Sequence, residues 1–153
     1  MILKVLTRSF LGVIMVLFIM QCSGSKKVAD ISKEEEEVFN QNTGDTITIE
    51  NDSLEHNIII IEIGFYTWLR STAKPRGYYT QKYMENRNRI YVINWNQRVQ
   101  EPLRFDPNLY NLQIYYDPNI DYGYEVNYVL YNYFIYFQRK YDQRLGPFVP
   151  RIN

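Results

Sequence analysis

The chain has 153 residues with 17 basic and 17 acidic side chains, so its formal net charge at pH 7 is zero. It contains one cysteine and one histidine, which excludes a disulfide framework within the chain and metal sites built from several Cys or His ligands. About 130 residues follow an apolar leader, which is the size of one domain.

The apolar leader has the layout of an export signal. Lys4 and Arg8 precede an apolar run at residues 10–20, and a signal peptide combines such a positive start with about 7–15 apolar residues. A helix that spans a membrane needs about 20 apolar residues, so this run is short for that role. The pattern therefore predicts export.

Cys22 closes the leader. Residues 19–25 (Ile-Met-Gln-Cys-Ser-Gly-Ser) resemble a bacterial lipoprotein signal, in which the cysteine is acylated on sulfur and becomes the new N-terminus. Gln21 differs from the small residue that usually precedes this cysteine. We expect a signal peptide at residues 1–21, lipidation of Cys22 and a protein attached by its lipid to a membrane of the cell envelope, on the periplasmic or outer-membrane face. The alternative is an uncleaved anchor that ends in an incidental cysteine.

Residues 22–54 have the composition of a flexible tether. From Ser23 to Leu54 there are three basic and eight acidic side chains, a net charge of −5, whereas residues 55–153 carry twelve basic and nine acidic side chains, a net charge of +3. An acidic segment with so few aromatic residues buries too little apolar surface to offset the entropy lost on ordering. Its alternation suggests one short strand, at residues 46–50.

Two candidate modification sites lie in this tether. Residues 45–47 (Asp-Thr-Ile) and 52–54 (Asp-Ser-Leu) resemble the Asp-Ser/Thr-apolar pattern at which bacteria of the Bacteroidota attach O-glycans to exported proteins. No other aspartate in the chain is followed by Ser or Thr. The resemblance implies O-glycans on Thr46 and Ser53, which are bulky and solubilising; the alternative is two ordinary polar linker residues.

A single folded domain is predicted at residues 55–153, because all 15 tyrosines lie between Tyr66 and Tyr141. A β-branched apolar run indicates a buried first strand, and alternation of apolar and polar residues indicates a second. Thr80 is placed to cap a helix. The predicted elements are a strand at 56–63, helices at 65–74 and 80–100, a strand at 110–116 and a helix at 121–141.

These elements predict an α+β fold, with a small two-stranded sheet, three helices and the order β-α-α-β-α. For part of the second helix a strand at residues 89–93 is the alternative, but an apolar stripe over four turns favours the helix. Trp68 and Trp95 fall on the apolar stripes of their helices. We therefore expect both tryptophans in the core.

Several short motifs in the domain resemble a known family. They are Gly64-Phe65-x-x-Trp68-Leu69, Pro75-x-Gly77-Tyr78, Tyr83-x-x-Asn86, Asn94-Trp95-Asn96-x-Arg98 and Tyr122-Gly123-Tyr124-x-x-Asn127-Tyr128. Together they resemble an uncharacterised family of small Bacteroidota lipoproteins, known as a domain of unknown function. The family has an Asp-Pro before the Gly-Phe, where this chain has Glu62-Ile63. The resemblance implies a location in the envelope and no particular activity.

Catalytic residues are sparse in the sequence. His56 has no nucleophile motif beside Ser53 or Ser71, and a histidine at a strand edge is usually a surface residue. Asp121 and Glu125 stand at the start of the last helix and could act as the acid and its partner in a small glycan-directed hydrolase. The same positions suit helix capping and the helix dipole.

Binding is the other functional class that the residues suggest. Arg87 and Arg89 beside Tyr91 are residue types typical of a nucleic-acid-binding surface. A domain net charge near +3 is too small for such a surface, so we expect no nucleic-acid partner. An outward face of the last helix offers the tyrosine and arginine typical of contact anchors. We predict a binding surface for an envelope protein or glycan, without cofactor or metal, formed by Tyr128, Asn132, Tyr136 and Arg139. The favoured function is thus a non-catalytic binding or scaffolding module of the envelope.

Overall fold

The computed structural model describes residues 27–41, 46–49 and 58–152, with backbone only for 46–49 and 58–61. The described parts contain four helices: α1 at Lys33–Phe39, α2 at Phe65–Ser71, α3 at Gln81–Gln100 and α4 at Gly123–Lys140. Two short strands, β1 at Thr46–Ile49 and β2 at Ile58–Ile61, pair antiparallel with Thr46 opposite Ile61. No helix of the described residues combines the length and apolar character needed to cross a membrane.

The predicted α+β fold with the order β-α-α-β-α is wrong. Between residues 62 and 152 the described backbone forms helices and irregular segments and no strand, so the core is helical. The predicted strand at 110–116 does not exist because its backbone groups bond to side chains of α3. Asn96 Nδ2 donates to Ile114 O at 2.9 Å and Asn96 Oδ1 accepts from Ile114 N at 2.9 Å, which satisfies this residue without a neighbouring strand.

Helix α4 is the central element of the domain. Nearly every residue from Val126 to Arg139 is buried, which is the behaviour of a helix covered on all sides rather than along one stripe. Its ends carry the charges that a helix dipole favours, Glu125 in the first turn and Arg139 with Lys140 in the last. The surrounding segments therefore have to come from distant parts of the chain.

Helix α3 packs along one side of α4. Thr80 caps it, since the Thr80 hydroxyl accepts from Tyr83 N, as the sequence predicted. Met84, Tyr91 and Trp95 are buried on its inner face, so the helix at these positions is confirmed and the alternative strand at 89–93 is wrong. The burial of Trp95, and of Trp68 on α2, confirms that both tryptophans are core residues.

The acidic segment before the domain is folded where the structure describes it. Ser32 caps α1 by accepting from Glu35 N at 3.2 Å, and Val28 N donates to Asp142 Oδ1 at 2.7 Å. Glu35 is only 3% exposed. Residues 27–41 therefore pack against the domain, whereas the sequence predicts a flexible tether there. The reason is an ion pair between the buried Glu35 carboxylate and Arg139 on α4, which no local pattern in the sequence indicates.

Candidate functional site

Six aromatic rings surround a pocket of about 240 Å³ on one side of α3 and α4. The rings of Tyr79 and Tyr83 stack with centroids 5.0 Å apart, and the edge of Tyr131 meets Tyr79 at 5.2 Å. Two of the rings are solvent-accessible at the rim, with Tyr78 56% and Tyr83 37% exposed. We call this the tyrosine pocket; its side chains are Tyr78, Tyr79, Tyr83, Arg87, Tyr91, Tyr131, Phe148, Val149 and Arg151.

Arg87 lies in the wall of the tyrosine pocket. Helical spacing puts Tyr83, Arg87 and Tyr91 on one face of α3, and the C-terminal tail brings Phe148 over this face. The Arg87 guanidinium carbon is 3.2 Å from the Phe148 ring centroid and 5.1 Å from that of Tyr83. Both rings hold the guanidinium by cation–π contact.

One nitrogen of this guanidinium has no protein acceptor. Arg87 Nη1 is buried and makes no hydrogen bond to any described residue. A buried polar N–H without an acceptor is costly, more so when the group is charged. Arg87, a lining residue of the tyrosine pocket, thus has a hydrogen-bond donor that no protein group satisfies.

The charges of the tyrosine pocket are all positive among its lining residues, Arg87 and Arg151. Burial keeps the phenols of Tyr79, Tyr91 and Tyr131 neutral, because it raises the pKa of each. Burial raises the pKa of Tyr131 far above the ordinary value, with further increases from the neighbouring phenols of Tyr79 and Tyr83. Burial also raises the pKa of Tyr79, against a hydrogen bond with Tyr131 that lowers it. The pocket is therefore suited to an anion.

The predicted binding surface on α4 is wrong, because all four of its residues are buried. Tyr128, Asn132, Tyr136 and Arg139 are 2%, 3%, 0% and 6% exposed. The Tyr128 hydroxyl donates to Lys74 O and the Tyr136 hydroxyl to Ile63 O, each at 2.8 Å, while Asn132 Nδ2 donates to Tyr128 O at 2.8 Å. Tyr128 and Tyr136 thus fasten segments that cover α4, whereas Asn132 bonds within the helix.

Arg139 joins both ends of the described chain. Its Nε donates to Glu35 Oε1 at 2.7 Å and its Nη2 to Glu35 Oε2. Its Nη1 donates to Pro150 O at 2.9 Å, and its Nη2 also to Asp30 O at 2.7 Å. Trp68 Nε1 adds a third donor to Glu35, at 2.9 Å. The paired carboxylate and guanidinium are therefore structural.

The two carboxylates of the alternative hydrolase are engaged separately. Asp121 Oδ1 accepts from Gly123 N at 2.9 Å and from Gln81 Nε2 at 2.7 Å, so it holds the turn that leads into α4. Glu125 is exposed and pairs with Arg76, whose Nε lies 2.8 Å from Glu125 Oε2. Asp121 lines a polar cleft that Glu125 does not reach. The pair does not form the shared concave site that glycoside hydrolysis requires.

The remaining predicted sites fall outside the described side chains. Cys22, Ser53 and His56 lie outside the described residues, and Thr46 begins β1 with its side chain not described. Within the described ranges there is no group of three or more His, Cys, Asp or Glu side chains that could hold a metal ion.

The tyrosine pocket was missed in the sequence. The spacing of Tyr83, Arg87 and Tyr91 is visible there, but it suggests a stripe of core residues as readily as a site. Phe148 and Arg151 complete the pocket from a tail that has no periodic pattern. The signal that could have found it is an arginine flanked by tyrosines at helical spacing.

Comparison with known proteins assigns the chain to a family. A model described as a family of unknown function, DUF6146, matches residues 10–149, so the chain belongs to this family. The prediction that the chain belongs to a family of unknown function is therefore confirmed. Neither a curated protein nor a solved structure matches the chain.

Proposed function

We propose that this protein is a lipid-anchored protein of the cell envelope whose folded domain is a non-catalytic binding module, with the tyrosine pocket as its binding site. The observation that carries the binding role is an arginine, Arg87, that lines an aromatic pocket and has a buried nitrogen, Nη1, without a protein acceptor. Ligand pockets combine such apolar walls with a few well-placed polar groups.

The anchor is supported by the leader and its cysteine. The family match begins at residue 10 and so includes the apolar run and Cys22. Six Cα-to-Cα steps separate Cys22 from Val28, whose backbone N–H is held by Asp142. At about 3.3–3.6 Å for each step, a lipid on Cys22 would lie within about 20 Å of the domain. The domain would then work close to the membrane surface.

Labelling with an alkyne fatty acid tests the anchor in the native host. We expect the label on the wild-type protein and none on Cys22→Ser, which should be released from the membrane fraction or remain there with its leader attached. An unlabelled wild-type protein would contradict the lipid anchor.

Site-directed photo-crosslinking tests the binding role. A photoreactive benzoylphenylalanine replaces Tyr78, which is at the rim of the tyrosine pocket, and in a second strain Tyr115. Tyr115 is the matched control because it is 81% exposed and does not line the pocket. We expect irradiation of intact cells to give an adduct of increased mass at position 78 only. Equal yields at both positions, or no adduct at position 78, would contradict the proposal.

A further inference from the structure

We infer that the ligand of the tyrosine pocket is an acidic sugar, a pyranose ring that carries one carboxylate, with the carboxylate on Arg87 and the ring against the tyrosines. This inference rests on the binding role proposed above and adds the chemical class of the ligand.

The anionic part follows from the unpartnered nitrogen. A neutral ligand would leave the guanidinium of Arg87, whose Nη1 is buried and unpaired, without the strong acceptor that a cation removed from water needs. A carboxylate supplies a charge-assisted hydrogen bond, the strongest class that arginine makes. No carboxylate of the protein lines the pocket, so nothing there repels the ligand.

A carboxylate fits this pocket better than a phosphate. Among the described side chains, Arg87 alone has a buried guanidinium nitrogen without a hydrogen-bond partner, and Arg151 is exposed at the rim. One partly buried positive charge matches a single negative charge. A phosphate monoester carries about −1.5 to −2 at pH 7, and the excess charge would be desolvated among aromatic rings.

The sugar ring follows from the size and the walls of the pocket. A volume of about 240 Å³ is just below the range of about 300–1,000 Å³ found for drug-sized ligands, which suits one small ring. The C–H face of a pyranose is apolar and packs on aromatic rings, whereas its edge carries hydroxyls. Tyr78 and Tyr83 offer both an accessible ring and a phenol oxygen at the rim.

Calorimetric titration of the full lipidated protein in detergent tests the inference. The probes are oligosaccharides of glucuronic and galacturonic acid, each beside its methyl ester, which keeps the sugar ring and removes the charge. We expect at least one acid to bind and its ester to bind roughly ten- to hundredfold more weakly, the effect of losing a charge-assisted hydrogen bond. Equal affinity of acid and ester would overturn the inference.

Two pairs of variants locate the binding. Arg87→Met should weaken binding of the acid roughly ten- to hundredfold. Arg89→Met is the control, because Arg89 is an exposed arginine on the same helix outside the pocket, and it should leave binding unchanged. Tyr78→Ala, an exposed position where folding is not at risk, should weaken binding roughly two- to tenfold, against no effect of Tyr115→Ala. Unchanged binding by both Arg87→Met and Tyr78→Ala would contradict the claim that the ligand binds in the tyrosine pocket.

Two further probes separate the sugar from other anions. Benzoate has the charge and a flat ring without hydroxyls, and glucose 6-phosphate has the sugar with a phosphate. Tighter binding of either one than of every uronic acid would overturn the ligand class. If no uronic acid binds while position 78 still crosslinks in cells, the acidic sugar is wrong and the binding role stands. If position 78 gives no adduct, the binding role itself is wrong.

Discussion

Two arginines of this domain, the buried Arg139 and the partly buried Arg87, differ in how their hydrogen bonds are used. Arg139 donates to both oxygens of Glu35 and to the carbonyls of Asp30 and Pro150. Arg87 stacks between Phe148 and Tyr83 and leaves its buried Nη1 without a protein acceptor. A fully bonded guanidinium stabilises the fold, whereas one with a free donor is available to a ligand.

The difference also shows which parts of the chain the two sites depend on. The pair of Glu35 and Arg139 fastens the segment at 27–41 to α4. The tyrosine pocket instead lies between α3, α4 and the C-terminal tail. Substitutions at the first site should therefore reduce stability, and substitutions at the second should reduce binding.

The largest expected effect is on stability, at Glu35. Glu35→Ala removes the carboxylate to which the buried Arg139 and Trp68 Nε1 donate, and removing one partner of a buried ion pair costs about 3–5 kcal/mol. Urea unfolding measures the loss. Glu36→Ala, on an exposed neighbouring residue of α1, is the control and should change the free energy of unfolding by less than about 0.5 kcal/mol. Equal effects of the two substitutions would mean that the buried pair does not hold this segment.

Alkaline pH should lower the free energy of unfolding, because burial raises the pKa of several phenols in the core. Burial raises that of Tyr133 and of Tyr136 well above the ordinary range, and that of Tyr141 to about 12. Unfolded tyrosine releases its proton near pH 10, so above about pH 10 the unfolded state binds fewer protons and gains stability relative to the folded state. Each such phenol lowers the free energy of unfolding by about 1.4 kcal/mol per pH unit until its folded pKa is reached.

Urea unfolding between pH 8 and pH 11 measures this loss of stability, with phenolate absorbance followed in the same samples. We expect constant stability below about pH 9 and a decline above about pH 10. A free energy of unfolding that stays level across the whole range would show that these phenols ionise alike in the folded and unfolded states.

The smallest expected effect on stability is at Arg87. Arg87→Met keeps an unbranched apolar stem beside Phe148 and removes a donor that has no protein acceptor. Its cation–π contacts are worth roughly 0.5–2 kcal/mol, which the removal of an unsatisfied buried group offsets. We expect a change below about 1 kcal/mol by urea unfolding. A loss as large as that of Glu35→Ala would identify Arg87 as a structural residue.

Local patterns predicted the three helices of the domain, α2 to α4, well, but they missed α1 and predicted the packing poorly. The Thr80 cap and the apolar stripe with Trp95 depend only on residues of one helix, and the structure confirms both. The strand predicted at 110–116 failed because alternation does not reveal that Asn96 takes the place of a strand partner.

The candidate site shows the same limit more sharply. Tyr128 and Arg139 were predicted on an exposed face because a helix normally buries one side, but distant segments cover α4 completely. In the sequence Arg87 is only a basic residue near Tyr91, because the Phe148 ring that completes its site comes from the C-terminal tail. Burial by remote segments leaves no local signal in the sequence.

The guanidinium resonances of the isotope-labelled protein give the most direct test of the central claim, that Arg87 is the arginine that binds a carboxylate. Two side chains can be followed in one spectrum during a titration with a uronic-acid oligosaccharide, with Arg87→Met used for assignment. We predict that the Arg87 signals shift and that their exchange with water slows on binding. The Arg139 signals, already bonded, should be protected from the start and unchanged. Arg87 signals that do not move at saturation, or Arg139 signals that move instead, would contradict the account.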